Sequence, residues 1–258
     1  MASRANWQVA NPTTPANYFH LLRRQQNRGY RKPLIVASTK ALLRLPASFS
    51  NTEDFTEGTR FHRVFPERFP EDIAAPEDVK RIVMCRCVDR FGFFCLSMVV
   101  VVVLLLFCYA YVCSPRLPSF SALILMNPLH PIHPINSPFS PFCSGKIYYE
   151  LLQYRNANAI NDVAIVSIEQ LLPFPFDHTA SVVKEYPNAQ VVWAQEEPKN
   201  MGAWTHVQER LMAGTDALLG KEIRPQYVGR KTMASPAEGY AKTHERDQAR
   251  ILAEAMTV

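Results

Sequence analysis

Six residues that follow predicted strands could bind an anion together: Ser144, Gly145, Lys146, Gln195, Arg230 and Lys231. The first three open a predicted helix, where free backbone amides and the helix dipole favour a negative charge. The other three follow two later predicted strands. The carboxyl ends of parallel strands meet at one edge of a sheet, so all six could converge there. The alternative is an ordinary strand-to-helix turn that carries a solvated lysine.

The motif Gln195-Glu196-Glu197 contains two carboxylates, which invites a general acid–base interpretation. Successive strand residues point to opposite faces of a sheet, so Glu196 and Glu197 cannot readily share one task. We expect them to cap the following helix or to contact a neighbouring subunit. His20 lies on a predicted helix and is expected to be a partly buried structural residue. We therefore predict no catalytic residue in this chain.

The cysteines form neither a disulfide pattern nor a metal-binding pattern. Five of the six lie between residues 86 and 143, whereas a disulfide framework would distribute them through the fold. Cys85 and Cys87 lack the two-residue spacing of a zinc knuckle and have no matching second pair. We predict no metal site. The net charge of +5 is mixed in sign along the chain, which argues against a nucleic-acid partner.

The elements that must position these residues alternate between helices and strands. The first part of the chain predicts a helix from the capping residue Thr14 to Gly29 and a buried strand at 33–37. Further strands are predicted at 79–85, 162–168, 190–196 and 225–229, and helices around 176–186, 202–212 and 242–256. Another helix, with apolar positions from Ile147 to Tyr154, is predicted after a tight turn at Ser144-Gly145. The alternation predicts an α/β fold, with a parallel sheet covered by helices on both faces.

Residues 86–143 interrupt this pattern as an apolar insertion. Within them, residues 91–113 carry no charge and are long enough to span a membrane. A true span would separate the strand at 79–85 from the helix after it by about 30 Å of hydrocarbon, and the sheet could not close. Without 86–143 the strand leads through a tight turn into that helix. We hypothesise that 86–143 is a translated intron or a gene-prediction error; a membrane anchor is the alternative.

Six segments of the chain resemble, in order, the C-terminal part of the E1 component of 2-oxoglutarate dehydrogenase. They are NWQVANPTTPANYFHLLRRQ, KPLIVASTKALLRLP, VKRIVMC, SGKIYYELL, DVAIVSIEQLLPFPFD and VVWAQEEPKNMGAW. The resemblance identifies residues 1–45 with the end of a transketolase-like pyrimidine-binding domain and residues 79–258 with a transketolase-like C-terminal domain. Residues 46–78, rich in proline and acidic residues, are expected to be an extended linker. The family has no counterpart to the insertion at 86–143.

The resemblance implies an enzyme that uses thiamine diphosphate and Mg²⁺. It decarboxylates 2-oxoglutarate in the tricarboxylic acid cycle and transfers the succinyl group to the lipoyl group of the E2 component. The family's diphosphate motif, GDG, does not occur in this sequence. We therefore expect this chain alone to bind no cofactor and to be inactive, which leaves open whether it is itself an enzyme. The closely related 2-oxoadipate enzyme is an open alternative.

The resemblance also implies partners and a location. These are a homodimer, the E2 dihydrolipoyl succinyltransferase, and an acetyl-CoA or AMP effector near residues 144–146. The location would be the mitochondrial matrix in a eukaryote or the cytoplasm in a bacterium. The N-terminus has no basic start followed by an apolar core, so no secretory signal is predicted. A second hypothesis is a membrane-tethered, non-catalytic module that binds a nucleotide or a partner.

Overall fold

The computed structural model describes residues 6–38, 42–85 and 147–257. Three regions discussed above lie outside these ranges: the insertion at 86–143, its apolar run at 91–113, and residues 144–146 of the anion-site prediction. Within the described ranges, no helix combines the length and the apolar character that crossing a bilayer requires.

The described residues form eight strands and five α-helices. The strands are β1 (Gln8–Ala10), β2 (Leu34–Val36), β3 (Val64–Phe65), β4 (Arg81–Cys85), β5 (Val163–Ile168), β6 (Gln170–Leu172), β7 (Gln190–Pro198) and β8 (Gln226–Arg230). The helices are α1 (Pro15–Asn27), α2 (Ile147–Ala157), α3 (Phe176–Glu185), α4 (Trp204–Leu219) and α5 (Ala241–Met256). Short 3₁₀ helices occupy Leu42–Arg44, Pro46–Ser48, Thr52–Phe55 and Pro70–Asp72.

The main sheet has the strand order β3-β5-β4-β7-β8, in which the last four strands are parallel and β3 is an antiparallel edge. Because successive side chains alternate between faces, Ile82 and Met84 of β4 pack beneath α3 and α4. Val83 and Cys85 pack beneath α2 and α5 on the opposite face. The prediction of an α/β fold with a parallel sheet and helices on both faces is confirmed.

A small second sheet, β2-β1-β6, joins the first part of the chain to the later part. Its strand β1 pairs in parallel with β2 and antiparallel with β6. The helix α1 begins as predicted, since the Thr14 side chain accepts a hydrogen bond from the Asn17 amide at 3.3 Å. It ends at Asn27, however, and Arg28 is already extended, so Gly29 is not its C-cap.

The segment predicted as an extended linker, residues 46–78, contributes to the main sheet and to the core. Its strand β3 pairs with β5. Its Glu67 carboxylate accepts two hydrogen bonds from the Arg155 guanidinium, at 2.7 and 3.3 Å, and a third from the Ile165 amide at 2.8 Å. A buried charge requires such partners. This segment is therefore fixed to α2 and β5.

Candidate functional site

The connections that follow β4 and β7 leave the main sheet in opposite directions. After β4 the chain passes through α2 to β5 on one side, whereas after β7 it passes through α4 to β8 on the other. In open α/β sheets, ligands bind at such a switch point, outside the carboxyl ends of the strands. Cys85 and Ala194 are register partners at this edge. The candidate site is therefore the edge beyond these two residues, hereafter the switch-point site.

Gln195 reaches the switch-point site, but its amide is engaged within the β7–α4 loop. Its Oε1 accepts hydrogen bonds from Trp193 Nε1 at 2.9 Å and from the Trp204 amide at 3.1 Å. Its Nε2 donates to the Met201 carbonyl at 2.9 Å. The side chain is buried. The geometry makes Gln195 a residue that holds the loop in place.

Arg230, at the end of β8, is the residue whose surroundings most clearly suit an anion. Its side chain is 1% exposed, and its Nη2 donates to His244 Nδ1 at 2.6 Å. Its Nε and Nη1 have no hydrogen-bond partner in the part of the chain that the structure describes. A buried guanidinium stays charged and needs compensation. Lys231 follows it and is exposed.

A glutamine on α5 connects two acidic residues beside the same edge. Gln248 Nε2 donates to Glu150 Oε2 of α2 at 2.6 Å and to Glu196 Oε1 of β7 at 3.2 Å. Glu196 is buried, and Glu197 is partly buried on the next position of the strand. The Glu196 carboxylate thus links α5 to the sheet through Gln248.

The structure brings Gln195, Arg230 and Lys231 to one edge of the sheet through β7 and β8. Ser144, Gly145 and Lys146 lie outside the described residues. The residues that flank the interrupted region, Cys85 and Ile147, belong to one buried cluster. The start of α2, directly after residues 144–146, therefore packs in the same cluster as the end of the strand from which the chain leaves the sheet.

Sequence reasoning missed His244 and Gln248, which bring α5 to this edge. Their four-residue spacing on a predicted helix indicates that the two side chains share one face, because residues four positions apart lie on the same side of a helix. The spacing alone does not indicate which strand that face covers.

Two further properties of the edge limit its chemistry. Burial raises the pKa of the Cys85 thiol, and the nearby Glu169 carboxylate adds to the effect, so the thiol stays protonated and unreactive. Among the residues that the structure describes, no group of three or more His, Cys, Asp or Glu side chains could hold a metal ion.

Comparison with known families places two models on successive parts of the chain. Residues 1–46 match the pyrimidine-binding domain of transketolase, and residues 140–256 match the 2-oxoglutarate dehydrogenase C-terminal domain. Neither of these two matches includes residues 47–139, where most of the apolar insertion falls.

Curated relatives match nearly the whole chain. The mitochondrial 2-oxoglutarate dehydrogenase of Dictyostelium discoideum is 34% identical over 99% of this chain and 19% of its own length. The E1 component of Azotobacter vinelandii is 35% identical over 100% of the chain and 21% of its length. A probable 2-oxoadipate dehydrogenase E1 homolog of Dictyostelium discoideum is 32% identical over 97% of the chain and 21% of its length. The chain thus spans about a fifth of these relatives.

Proposed function

Because the chain belongs to the 2-oxoglutarate dehydrogenase E1 family and corresponds to its C-terminal region, we propose that it supplies that region to such an enzyme. The complete enzyme would decarboxylate 2-oxoglutarate and transfer the succinyl group to the E2 component. One observation carries the proposal. Two family models match the chain in the family's order, and the segments that they cover are joined through the small sheet β2-β1-β6.

The residues present do not fit the family's cofactor. The sequence contains no GDG motif, and the described residues offer no cluster of metal ligands. We therefore derive no step of the reaction from this chain, and we propose that thiamine diphosphate and Mg²⁺ bind elsewhere in the complete enzyme. The chain alone is expected to be inactive.

The family also suggests the assembly and its location. We propose a homodimer that works with E2, in the mitochondrial matrix of a eukaryote or in the cytoplasm of a bacterium. The relatives named for 2-oxoglutarate and for 2-oxoadipate are 34% and 32% identical to this chain, which does not separate the two substrates. Turnover of each oxo acid by the complete enzyme would decide between them.

An exchange experiment tests the proposed function. The corresponding C-terminal region of the Azotobacter vinelandii relative would be replaced by this chain without residues 86–143, and 2-oxoglutarate decarboxylation would be measured. We expect activity above that of the relative truncated before this region. The same exchange with 86–143 retained is the matched comparison, and it should be less active. Equal inactivity of the exchanged and truncated enzymes would argue against the proposal.

We further propose that the switch-point site binds an anionic effector, for which acetyl-CoA and AMP are the candidates that the family suggests. The buried guanidinium of Arg230, whose Nε and Nη1 have no hydrogen-bond partner among the described residues, supports this proposal. Lys231 would add charge at the rim. Ser144, Gly145 and Lys146 would contribute backbone amides and a second cation at the start of α2, and Gln195 would hold the adjacent loop.

Thermal unfolding tests the effector proposal. A ligand that binds only the folded state at a hundred times its Kd stabilises that state by about 2.7 kcal/mol. We expect acetyl-CoA or AMP to raise the unfolding midpoint of the chain, and Lys231→Gln to reduce the rise. Lys221→Gln removes an exposed lysine elsewhere and should leave the rise unchanged. No rise with either ligand would refute the effector site.

The insertion at 86–143 remains, in our proposal, a segment that does not belong to the working fold. Sequencing the transcript across codons 80–150 tests this directly. We expect the mature message to lack the insertion, and a message that contains it would argue for the alternative of an anchored module.

A further inference from the structure

A pocket lies between α1 and the segment that follows β2, and it shares no lining residue with the switch-point site. It has a volume of about 250 Å³. Its lining includes Thr14, His20, Asp54, Arg60, His62 and Arg68. We call it the His20 pocket.

His20 lines the pocket and has a buried ring nitrogen that no described residue pairs with. The residue is 3% exposed, and its Nε2 lies 2.7 Å from the Asp54 carbonyl oxygen, which can only accept a hydrogen bond. Nε2 therefore carries the hydrogen. In the neutral ring, Nδ1 is then an acceptor. That atom is buried and has no hydrogen-bond partner among the residues that the structure describes.

Arg68 also lines the pocket and has one buried donor that no described residue pairs with. Its guanidinium carbon lies 4.0 Å from the centre of the Phe65 ring and 4.9 Å from that of Tyr148, and its Nη2 donates to Thr13 Oγ1 at 3.0 Å. The stacked rings fix the cation. Its Nε is buried and has no hydrogen-bond partner in the described ranges.

The remaining lining favours a negative charge. Arg60 adds a second guanidinium, so the pocket lining holds two arginines against the single carboxylate of Asp54, which accepts a hydrogen bond from the Asn51 amide at 2.9 Å. The positive end of α1, which begins after Thr14, also lies at the pocket. The exposed His62 stacks on Phe65 and adds no fixed charge, because burial of part of its ring and then the charge of Arg60 lower its pKa.

We infer that the His20 pocket binds a small organic anion that also carries a hydroxyl group. Its phosphate or carboxylate would lie by Arg68 and Arg60, where an anion finds both charge and a donor. Its hydroxyl would donate to His20 Nδ1. The volume exceeds that of a single oxyanion, so a short carbon skeleton fits as well. An anion without a hydroxyl would leave the buried acceptor unpaired.

Nuclear magnetic resonance of the histidine rings in the full chain tests the inference. Glycerol 3-phosphate and glycerate are the probes, and whichever saturates at the lower concentration identifies the anion class. We expect saturable shifts of His20 and His62 and a rise in the pKa of His62, because a bound anion favours its charged form. Propyl phosphate lacks the hydroxyls and glycerol lacks the charge, and each should bind at least tenfold more weakly. Equal binding of propyl phosphate and glycerol 3-phosphate, or unchanged histidine signals, would overturn the inference.

Two substitutions separate the role of His20, which would accept the hydroxyl hydrogen, from the role of Arg68, which would bind the anionic group. The amide nitrogen of a glutamine can replace Nε2, so His20→Gln keeps the donor to Asp54 and leaves no acceptor at the position of Nδ1. It should abolish the preference for glycerol 3-phosphate over propyl phosphate. Arg68→Gln should weaken both at least tenfold, whereas Arg224→Gln, which changes an exposed arginine, should weaken neither. Unfolding curves of each variant verify folding. A folded His20→Gln variant that retains the full preference would overturn the inference.

Discussion

The guanidinium of Arg155 and the carboxylate of Glu67 form a two-bond ion pair in which the side chains are only 1% and 2% exposed. Arg155 lies on α2, and Glu67 comes from the segment at 46–78. The pair therefore fixes that segment to the helix that follows the interrupted region. Two charges are buried together, and each is stable there because of the other.

Removal of one partner of this pair should destabilise the protein strongly. Arg155→Met leaves the Glu67 carboxylate buried without a counter-ion, which costs about 3–5 kcal/mol of unfolding free energy. Urea unfolding followed by circular dichroism measures the change. The control is Asp162→Asn, which breaks the more exposed pair with Lys80 and should cost less than about 1 kcal/mol. Similar losses for the two variants would contradict this account.

Deletion of residues 86–143 should leave the described fold intact. Cys85 and Ile147 belong to one buried cluster on the same face of the sheet, and after the deletion residues 144–146 would connect them. Closing a shorter loop costs less conformational entropy, and each halving of the loop length lowers the free energy of closure by about 0.6 kcal/mol. We expect cooperative unfolding with an unchanged or higher midpoint, and less aggregation in sedimentation velocity. Deletion of residues 64–78, which removes β3 and Glu67, is the comparison that should abolish cooperative unfolding. A deletion of 86–143 with that same effect would show that the insertion is structural.

Glu169 accepts four hydrogen bonds, and its replacement by glutamine should destabilise the protein. The donors are the Thr13 amide at 2.6 Å, the Thr13 hydroxyl at 2.8 Å, the Ser167 hydroxyl at 2.6 Å and the Asn17 amide group at 3.2 Å. The glutamine nitrogen cannot accept, so Glu169→Gln leaves at least one donor unpaired. The expected loss is about 1–3 kcal/mol. Glu185→Gln, at an exposed carboxylate on α3, should change the unfolding free energy little.

The same carboxylate should make stability depend on pH. Burial raises the pKa of Glu169 above the ordinary value of 4.5, although Arg68 and the hydrogen bonds lower it in part. Above pH 4.5 the folded state therefore binds a proton more tightly than the unfolded state, and stability falls as the pH rises through the folded pKa. The stability advantage of the natural protein over Glu169→Gln should be larger at pH 4 than at pH 7. Urea unfolding at both pH values measures this difference in unfolding free energy. A difference that increases with pH would contradict the raised pKa of Glu169.

Two glycines with the same backbone angle should respond differently to alanine. Gly202 has φ 68° and Gly220 has φ 67°, so each substitution costs about 1–2 kcal/mol of backbone strain. A Cβ at Gly202 would also come within 2.9 Å of Gln195 Nε2, whereas nothing lies within 4 Å at Gly220. Gly202→Ala should therefore lose more unfolding free energy than Gly220→Ala. Equal losses would mean that the Gln195 loop tolerates displacement.

The course of α4 illustrates what the sequence could and could not predict. Its start was predicted within two residues, but an end near Met212 was wrong, because the helix continues to Leu219. Gly214 lies inside the helix, and its lack of a side chain serves packing, since a Cβ there would lie 2.7 Å from Phe176 Cδ1. The glycine that ends the helix is Gly220, in the left-handed conformation. Local patterns cannot distinguish a packing glycine from a capping glycine.

Of the small sheet only β2 was predicted, as a strand at 33–37. The strands β1 and β6 were not, because each is three residues long and contacts distant in sequence define their pairing. The candidate site was predictable in part. Parallel strands were enough to bring Gln195 and Arg230 to one edge. The burial of Arg230 and the internal hydrogen bonds of the Gln195 amide depend on the packing of α5 and of the β7–α4 loop. These cannot be deduced from strand order.

The strand β6 belongs to the later part of the chain but pairs with β1 near its start. The linear boundary near residue 46 therefore does not separate two independent bodies. A truncated protein that began at residue 79 would present β6 as an uncovered edge, a surface prone to recruit other chains. It would also leave the Glu169 carboxylate without Thr13 and Asn17. Expression of this region for biochemistry should therefore start before Gln8.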